Sequence, residues 1–351
     1  MTRENATLAD FKSGRFGARR IAVLVPCYNE EKSIGKVVDD FRTALPAAAI
    51  LVYDNNSTDN TARLARAAGA QVVHEARQGK GFVVRRMFAD VDADIYVLVD
   101  GDATYDAPSV RRMIGQLLEK QLDMVVGARV DRDEAAYRAG HRAGNRLLSG
   151  FVARMFDSNL NDMLSGYRVL SRRFVKSFPV LSGGFEIETE LTVHALVLGL
   201  AVEEVDTPYY ARPQGSLSKL NTWRDGLRIL RTIGNLYRAE HPLPFFTGIG
   251  LVLALISFGL AIPIVTTFLE TGLVPRLPTA VLSTGLMLLA FLSAAVGLIL
   301  DTVTRGRREL KLLAYLSHNL PAAGSAKTRP RNDPKSKTVS SLKGARKRSP
   351  L

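Results

Sequence analysis

Residues 96–108 read YVLVDGDATYDAP: an apolar run stops at Asp100, and a second carboxylate follows at Asp102. Two like charges this close repel each other, and burial strengthens the repulsion. A divalent cation would relieve both charges, because hard cations prefer oxygen ligands and carry the opposite sign. A plain Asp-Gly turn, with both carboxylates in solvent, accounts for the same letters. These residues alone leave both interpretations open.

Strand-like and helix-like segments alternate on both sides of this stretch. Short apolar segments predict strands at residues 21–29, 48–57, 71–76, 94–100 and 123–129. Segments with helical spacing of apolar residues lie between them, at 30–45, 58–69, 79–91 and 107–120. Nearly continuous apolar strands that alternate with helices indicate an α/β fold with a parallel, doubly wound sheet.

Polar clusters follow all the predicted strands. They occupy residues 26–30, 54–59, 78–81, 100–102 and 127–129. Turn preferences explain each cluster singly, because Asn, Asp and Gly favour turns. Ligands of doubly wound sheets bind at the carboxyl ends of strands, so the five clusters together predict a site for a phosphorylated ligand with a metal. The sequence has neither GxGxxG after the first strand nor GxxxxGK[ST], which argues against a dinucleotide cofactor and a P-loop NTPase.

Two long uncharged segments, 243–269 and 277–300, each exceed the roughly 20 apolar residues that cross a bilayer. Buried core helices are the alternative, although such helices seldom run this long without a charge. Pro263 in the first segment is tolerable within a bilayer. The loop between the segments is short, whereas arginines flank the pair on both outer sides. The positive-inside rule therefore predicts a membrane hairpin with both flanks in the cytoplasm.

The segment before the first span, 221–241, has the pattern of an amphipathic helix. Its apolar residues recur at spacings of four, three, three and four, at Trp223, Leu227, Leu230, Ile233 and Tyr237. Its basic residues fall largely elsewhere on the helix. A basic amphipathic helix beside a span is typical of a helix that lies on the bilayer surface. An ordinary helix packed on the soluble domain is the alternative.

The formal net charge of +13 on 351 residues raises the question of a nucleic-acid partner. Residues 321–351 carry nine Lys and Arg and one acid, Asp333. Their composition predicts a disordered tail, which either lies on an anionic membrane or only aids solubility, so we expect no nucleic-acid binding. Cys27 is the single cysteine, which rules out an intrachain disulfide. The polar first twenty residues lack a signal-peptide core, so the α/β domain is expected in the cytoplasm.

The polar clusters resemble those of family 2 glycosyltransferases of GT-A fold. The resembling motifs are VPCYNEE (25–31), YDNNSTDNT (53–61), GKG (79–81) and DGD (100–102). LSGYR (164–168) and RPQGSLSKL (212–220) resemble the branch that makes polyprenyl-phosphate sugars, such as dolichyl-phosphate mannose and glucose synthases. The resemblance covers about residues 20–235. It implies a Rossmann-like, mostly parallel sheet flanked by helices, followed by a C-terminal two-helix transmembrane hairpin.

With this resemblance, the chain divides into seven predicted parts. They are an N-terminal extension (1–19), a GT-A catalytic domain (20–220), an interfacial helix (221–241), two spans (243–269 and 277–300), a basic juxtamembrane segment (301–320) and the tail (321–351).

The resemblance also implies which residues contact a nucleotide-sugar donor. They are Pro26, Tyr28, Glu30, Asp54, Lys80, Asp100, Gly101 and Asp102. Asp102, together with Asp100, would bind the Mg²⁺ or Mn²⁺ that bridges the diphosphate, which would also relieve the repulsion between the two acids. Family members often carry Ala at the middle position of this motif, so Gly101 is a small departure.

The acceptor that the resemblance implies is a polyprenyl phosphate, either undecaprenyl or dolichyl phosphate. A phosphate monoester has a second pKa of about 6, so the nucleophile is already anionic at neutral pH and needs cations more than a general base. Arginine forks bind phosphate well, although a single arginine is more often a surface charge. The expected acceptor-phosphate contacts are Arg129, Arg146, Ser149, Arg212 and Lys219, and Arg168 is a further cationic candidate.

The predicted catalytic residues are Asp162, Asp102, Arg129 and Arg212. Asp162 is the carboxylate that we expect nearest the reacting centre. The acids of the segment GGFEIETEL compete for that place, and they are Glu186, Glu188 and Glu190. Glu186 and Glu190 share a helical face at i, i+4, so a helix-surface position or a clamp on a neighbouring Arg is the alternative for those two. His194 lies in an apolar segment and is expected to be structural.

The predicted function is inverting transfer of a hexose or N-acetylhexosamine from a UDP- or GDP-sugar to a polyprenyl phosphate at the cytoplasmic membrane face. A family 2 enzyme that acts on another glycolipid or a cell-wall glycan is one alternative. A non-catalytic scaffold that binds nucleotide-sugar is the other. The absence of a Gln-x-x-Arg-Trp motif argues against a chain-elongating synthase. The sequence leaves the donor, the lipid length and homo-oligomerisation open.

Overall fold

The computed structural model describes residues 16–131, 150, 160–184, 186–213 and 222–318. The strands in this part are β1 Ile21–Cys27, β2 Ala49–Asp54, β3 Gln71–His74, β4 Ile95–Leu98, β5 Met124–Asp131, β6 Arg168–Ser171 and β7 Val202–Tyr209. They form one sheet in the order β3-β2-β1-β4-β6-β5-β7. Neighbouring strands are parallel except where β6 runs antiparallel to β4 and β5. The predicted mostly parallel α/β architecture is confirmed.

The helices cover both faces of the sheet and then continue into a long C-terminal pair. They are α1 Ile34–Ala44, α2 Thr61–Ala67, α3 Lys80–Asp90, α4 Val110–Glu119, α5 Arg172–Ser177, α6 Ile187–Val197, α7 Thr222–Glu240, α8 Pro242–Thr271 and α9 Leu277–Leu316. Successive residues of β1 alternate between two cores: Val23 packs with Phe41 of α1, and Leu24 packs with Val84 of α3. Burial on both faces explains why the strands read as continuous apolar runs.

The antiparallel strand β6 departs from the wholly parallel sheet that alternation predicts. The motif LSGYR, one of the two that resemble the polyprenyl-phosphate sugar branch, leads directly into β6, so its arginine is the first strand residue. An antiparallel strand begins at the edge where its parallel neighbours end. Gly127 N, directly after the part of β5 that pairs with β6, donates to Tyr167 O over 2.8 Å. Residues 162–167 are therefore brought to the carboxyl edge of the sheet.

Helices α8 and α9 are long and apolar enough to cross a membrane, with mean hydropathies of 2.5 and 2.2, and they are candidate membrane spans by length and composition. They contain both predicted spans. Ser257 and Ser283 link them, each hydroxyl donating to the other's carbonyl over 2.7 and 3.0 Å. A Cβ on Gly250 would lie 2.8 Å from Ala290 O, so this glycine permits a close approach. Helix α9 continues through residues 301–316, which the sequence separated as a juxtamembrane segment.

Helix α7 occupies the segment predicted to lie on the bilayer. The structure describes its side chains from Leu230 onward, and Ile233 is fully buried against Met163 and Val193. This part of α7 packs on the α/β domain, as the alternative interpretation held. Contact of α7 with a bilayer remains a prediction. Of the other predicted parts, residues 1–15 and the tail lie outside the described residues.

Candidate active site

The carboxyl edge of the sheet brings the ends of β1, β2 and β4 together, and the Asp100–Asp102 motif follows β4. Ser33 at the start of α1 donates its hydroxyl to Gly101 O over 2.7 Å. A Cβ at Gly101 would lie 2.5 Å from the Sγ of buried Cys27. Glycine is required here because of that contact, which gives a physical reason for the departure from Ala.

Asp102 is buried and held by two partners. One carboxylate oxygen lies 2.6 Å from an Arg212 nitrogen, and the other accepts the Thr104 hydroxyl over 2.6 Å. Burial raises the pKa of Asp102, the charge of Asp100 raises it further, and Arg212 opposes both effects. The two acids of the motif thus remain in repulsion although each has a cationic partner.

Lys80 lies between two acids at the same edge. Its Nζ is 2.5 Å from Asp100 Oδ1 and also contacts the Glu188 carboxylate. Burial disfavours the charged form of Lys80, but these two acids outweigh it and raise its pKa. Burial raises the pKa of Glu188, which Lys80 opposes. Glu188, one of the acids that compete for the place nearest the reacting centre, is a partner of Lys80 in the structure. The sequence did offer a signal for such a pairing, because an acid in an apolar helix such as α6 needs a partner when it is buried.

The GKG motif packs against the loop of residues 181–184. Gly81 N donates to Gly183 O over 3.2 Å, and a Cβ at Gly81 would collide with Ser182 O. Gly79 has a φ of 137°, which favours glycine. Glu190 holds the loop from the other side by accepting from the backbone of Leu181 and Ser182, each over 2.8 Å. Glu190 is therefore a loop clamp in this structure.

Arg129 and Asp162 form a two-pronged ion pair at the end of β5. The Nε and a terminal nitrogen of Arg129 each lie 2.7 Å from a different Asp162 oxygen, and Arg129 N also donates to this acid. Glu204 of β7 accepts from Asp162 N over 2.7 Å, which fixes the acid from behind. Two residues predicted to be catalytic are thus brought into direct contact at the carboxyl edge.

Arg168, a further cationic candidate for the acceptor phosphate, lies inside the domain. Its side chain is fully buried and donates to Ser165 O, Met163 O and the Thr192 hydroxyl over 3.0, 2.5 and 3.0 Å. Burial lowers the pKa of Arg168 to about 10. This arginine holds the backbone of residues 163–165 in shape and does not line the carboxyl edge. The predicted contacts Arg146, Ser149 and Lys219 lie outside the described residues.

The end of β2 offers an unsatisfied acceptor. Asp54 is buried, and its Oδ1 has no hydrogen-bond partner among the described residues. Glu30 is buried beside the Ser33 hydroxyl, 3.3 Å away, and Pro26 lies within β1. Tyr28, by contrast, is 38% exposed. This grouping fits a ligand with an N–H donor and a flat apolar face, such as a nucleobase.

Comparison with known proteins identifies the family. The model for glycosyl transferase family 2 matches residues 22–178. Glycosyltransferase AglJ of Haloferax volcanii is 36% identical over 69% of this chain and 80% of its own length. This chain belongs to glycosyl transferase family 2. Protein RfbJ of Shigella flexneri is 60% identical over 35% of the chain and 95% of its own length. A dolichyl-phosphate hexose transferase of H. volcanii is 26% identical over 61% of the chain and 92% of its own length.

Solved structures of a sugar-transferring synthase have a similar fold. Glucosyl-3-phosphoglycerate synthase from Mycobacterium tuberculosis, crystallised with Mn²⁺, UDP-glucose and phosphoglyceric acid, superposes with a TM-score of 0.53 and 26% identity. The match covers 62% of this chain and 80% of the synthase chain. Another crystal of that enzyme holds Mg²⁺ and UDP. The chain is a glycosyltransferase of GT-A fold, for which a divalent metal is typical.

The acid pair of this glycosyltransferase fits such a metal. Within the described residues, no group of three or more His, Cys, Asp or Glu side chains could hold an ion alone. Asp100 and Asp102 supply carboxylate oxygens, the donors that Mg²⁺ and Mn²⁺ prefer, and Asp102 remains repelled by Asp100. Mg²⁺ is usually held by one or two carboxylates together with substrate phosphates. A nucleoside diphosphate would complete this donor set.

Proposed function

We propose that this glycosyltransferase moves a hexose or N-acetylhexosamine, with inversion, from a UDP- or GDP-sugar to a polyprenyl phosphate at the cytoplasmic membrane face. One observation carries the proposal. A domain whose carboxyl edge holds the acid pair Asp100 and Asp102, with Arg212 on Asp102 and Arg129 on Asp162, is joined through α7 and the end of α9 to two candidate membrane spans. The dolichyl-phosphate hexose transferase among its relatives also supports a lipid acceptor.

The donor would lie across the ends of β1, β2 and β4. Asp54 offers its unpartnered oxygen to the base, and Lys80 stands near the acid pair, where the diphosphate would lie. A bound Mg²⁺ or Mn²⁺ held by Asp100 and Asp102 would neutralise charge on the leaving nucleoside diphosphate. Arg212 contacts the same acid, so it lies within reach of a diphosphate bound there.

The acceptor phosphate is already an anion near neutral pH and attacks the anomeric carbon without a general base. A phosphate oxygen forms the new bond to this carbon as its bond to the diphosphate oxygen breaks, which inverts the configuration. The chain must bring two anionic groups together. Arg129 is held in a fixed orientation by Asp162 and supplies a cation at the carboxyl edge. Asp162 would thus act by orienting Arg129 near the reacting centre.

The direction of α9 supports a site that faces the bilayer. This helix leaves its apolar part near Leu300, and Tyr315 reaches Asp123, which precedes β5 at the amino edge of the sheet. Fifteen helical residues span roughly 22 Å. The amino edge of the sheet is therefore held far from the apolar part of α9. The carboxyl edge lies at the opposite end of the strands, which supports a site on the side of the bilayer.

Transfer to lipid in a defined membrane tests the proposal. The protein in nanodiscs would be given undecaprenyl or dolichyl phosphate and a panel of labelled UDP- and GDP-sugars, with and without EDTA. We expect one sugar to enter an organic-extractable, acid-labile lipid, and we expect this product to be lost with EDTA and in Asp102→Asn. Transfer to another glycolipid, to a cell-wall glycan or to phosphoglyceric acid in place of the lipid phosphate would overturn it. A folded protein that binds nucleotide-sugar without any transfer would indicate a scaffold.

A further inference from the structure

The cytoplasmic-side extension of α9, residues 301–316, makes two separate groups of contacts. The first group is with the end of α7. The Thr304 hydroxyl and the Arg307 guanidinium both donate to Ala239 O over 3.0 Å. Glu240 lies 3.2 Å from both Arg308 and Lys311. These contacts join α9 to α7 beside the point where the chain enters α8.

The second group of contacts lies at the opposite end of the extension. The Tyr315 hydroxyl donates to Asp123 Oδ2 over 2.9 Å, and the Arg173 guanidinium lies 4.6 Å from the centre of the Tyr315 ring. Asp123 is 1% exposed and also accepts from Arg173 over 2.5 and 2.9 Å and from the Ser171 hydroxyl over 2.9 Å. Tyr315 therefore docks onto an acid that the domain already holds in place.

The contact is not required to satisfy the acid. Without the Tyr315 hydroxyl, Asp123 keeps Arg173 and Ser171 as donors, and the domain loses no buried apolar contact. The leucines around Tyr315 are largely exposed: Leu310, Leu313 and Leu316 are 67, 63 and 64% exposed. Tyr315 thus provides a specific polar contact at an end of the helix where the neighbouring leucines are largely exposed.

We propose that Tyr315 is a positioning residue that holds the catalytic domain at a set height and tilt above the membrane hairpin. The role rests on the proposed function, because height matters only when the acceptor phosphate is confined to the bilayer surface. Released from Asp123, the domain could rock about the joint at His241 between α7 and α8. The carboxyl edge would then meet a lipid phosphate less often, while its own chemistry would be unchanged.

Tyr315→Phe tests this role because it removes the hydroxyl and keeps the ring over Arg173. The matched control is Tyr237→Phe on α7, whose hydroxyl makes no hydrogen bond within the described part of the chain. Both variants and the wild type would be studied in nanodiscs with two acceptors, undecaprenyl phosphate in the bilayer and a short, water-soluble isoprenyl phosphate. Backbone hydrogen exchange of residues 309–316 is measured in the same preparations without donor or acceptor.

For Tyr315→Phe we expect exchange at 309–316 to become about tenfold faster, as for loss of a hydrogen bond to a charged group. We expect kcat/KM for the bilayer acceptor to fall by a similar factor and kcat/KM for the soluble acceptor to stay at the wild-type value. Tyr237→Phe should match the wild type in all three measurements.

Unchanged exchange at 309–316 would show that the contact holds nothing in place and would overturn the proposal. An equal loss on both acceptors would also overturn it, because Tyr315 would then act on the fold or the chemistry. Wild-type protein that glycosylates neither acceptor would overturn the proposed function and, with it, this role. The exchange data would still decide whether Tyr315 docks, so the two failures remain distinguishable.

Discussion

Two buried aspartates, Asp102 and Asp123, lie at opposite edges of the same sheet in similar surroundings. Each is paired with an arginine, Arg212 at 2.6 Å and Arg173 at 2.5 Å. Each also accepts a nearby hydroxyl, over 2.6 Å at the carboxyl edge and 2.9 Å at the amino edge. Burial and an arginine partner therefore do not distinguish a chemical site from a structural one in this molecule.

The difference lies in the third charged or polar group. Asp102 has a second acid, Asp100, close enough to raise its pKa after burial has already done so. Asp123 has a further donor, Tyr315, in the corresponding place. One edge is left with excess negative charge that an added cation would relieve, whereas the other is saturated with donors. Retained like-charge repulsion, and not burial, is the mark of the ligand site here.

Removing one charge from each aspartate would test this contrast most strongly. Asp102→Asn should lower kcat by about a thousandfold, because it removes part of the metal and diphosphate site, and each 1.4 kcal/mol of lost stabilisation is worth tenfold in rate. Its thermal stability should be kept or improved, since the repulsion with Asp100 disappears. Initial rates at saturating Mg²⁺ and a thermal melt in detergent measure both effects.

Asp123→Asn is the matched variant at the other edge. It should lower the free energy of unfolding by about 3 kcal/mol, since it leaves a mostly buried Arg173 without its anion. The folded fraction should keep its kcat for a soluble acceptor. If Asp123→Asn lost as much kcat as Asp102→Asn, the two edges would not be distinct in function, and the contrast drawn from charge would fail.

The sequence predicted much of the fold because the parallel strands are buried on both faces. The run DMVVGAR, for example, marks β5, observed at Met124–Asp131. Strands β6 and β7 were missed. β6 is only four residues long and joins the sheet between distant strands, and β7 mixes acids with apolar residues as an edge strand does. Neither pattern separates a strand from a loop without its partners.

The sequence predicted contacts within the candidate site only for residues that follow predicted strands of the sheet. Lys80 and Asp100 follow adjacent segments of the alternation, and the structure places them in contact. The pairing of Glu188 with Lys80 depends on how α6 rotates against the sheet, which local spacing does not determine. The Tyr315–Asp123 contact joins residues 192 positions apart, and only the docked end of α9 reveals it.

Two glycine substitutions sharpen the contrast between the carboxyl edge and the rest of the domain. Gly81→Ala should destabilise the protein by about 2 kcal/mol and raise KM for the donor, because its Cβ would displace the 181–184 loop beside Lys80. Gly115→Ala in α4 meets nothing within 4 Å and should stabilise by about 0.5–1 kcal/mol. Thermal melts and donor titrations measure both. If the two variants had the same thermal stability and the same KM for the donor, the GKG loop would not be closely packed.

The pH dependence of stability gives an expected effect of the same size as Gly81→Ala, and it concerns the side of the domain that faces α9. His194 packs between Phe174 and Phe178, with the Ser177 hydroxyl 3.3 Å from its Nε2. Burial, helped by the charge of Lys311 on α9, lowers the pKa of His194 to about 3. An unfolded histidine has a pKa near 6.5, so between these values the unfolded chain binds the extra proton.

The stabilising effect of a neutral His194 is therefore complete above pH 6.5 and is lost as the pH falls toward 3. At pH 5 the loss is about 2 kcal/mol, from 1.36 kcal/mol per unit of pKa difference. His194→Gln should flatten the fall in thermal midpoint between pH 6.5 and 5. A wild-type midpoint that did not fall over this range would mean that the protonated imidazole is accommodated beside Lys311. The surroundings of His194, at α5 and α6, would then tolerate an added positive charge, much as the carboxyl edge tolerates its excess of negative charge. The contrast between these two parts of the domain would be lost.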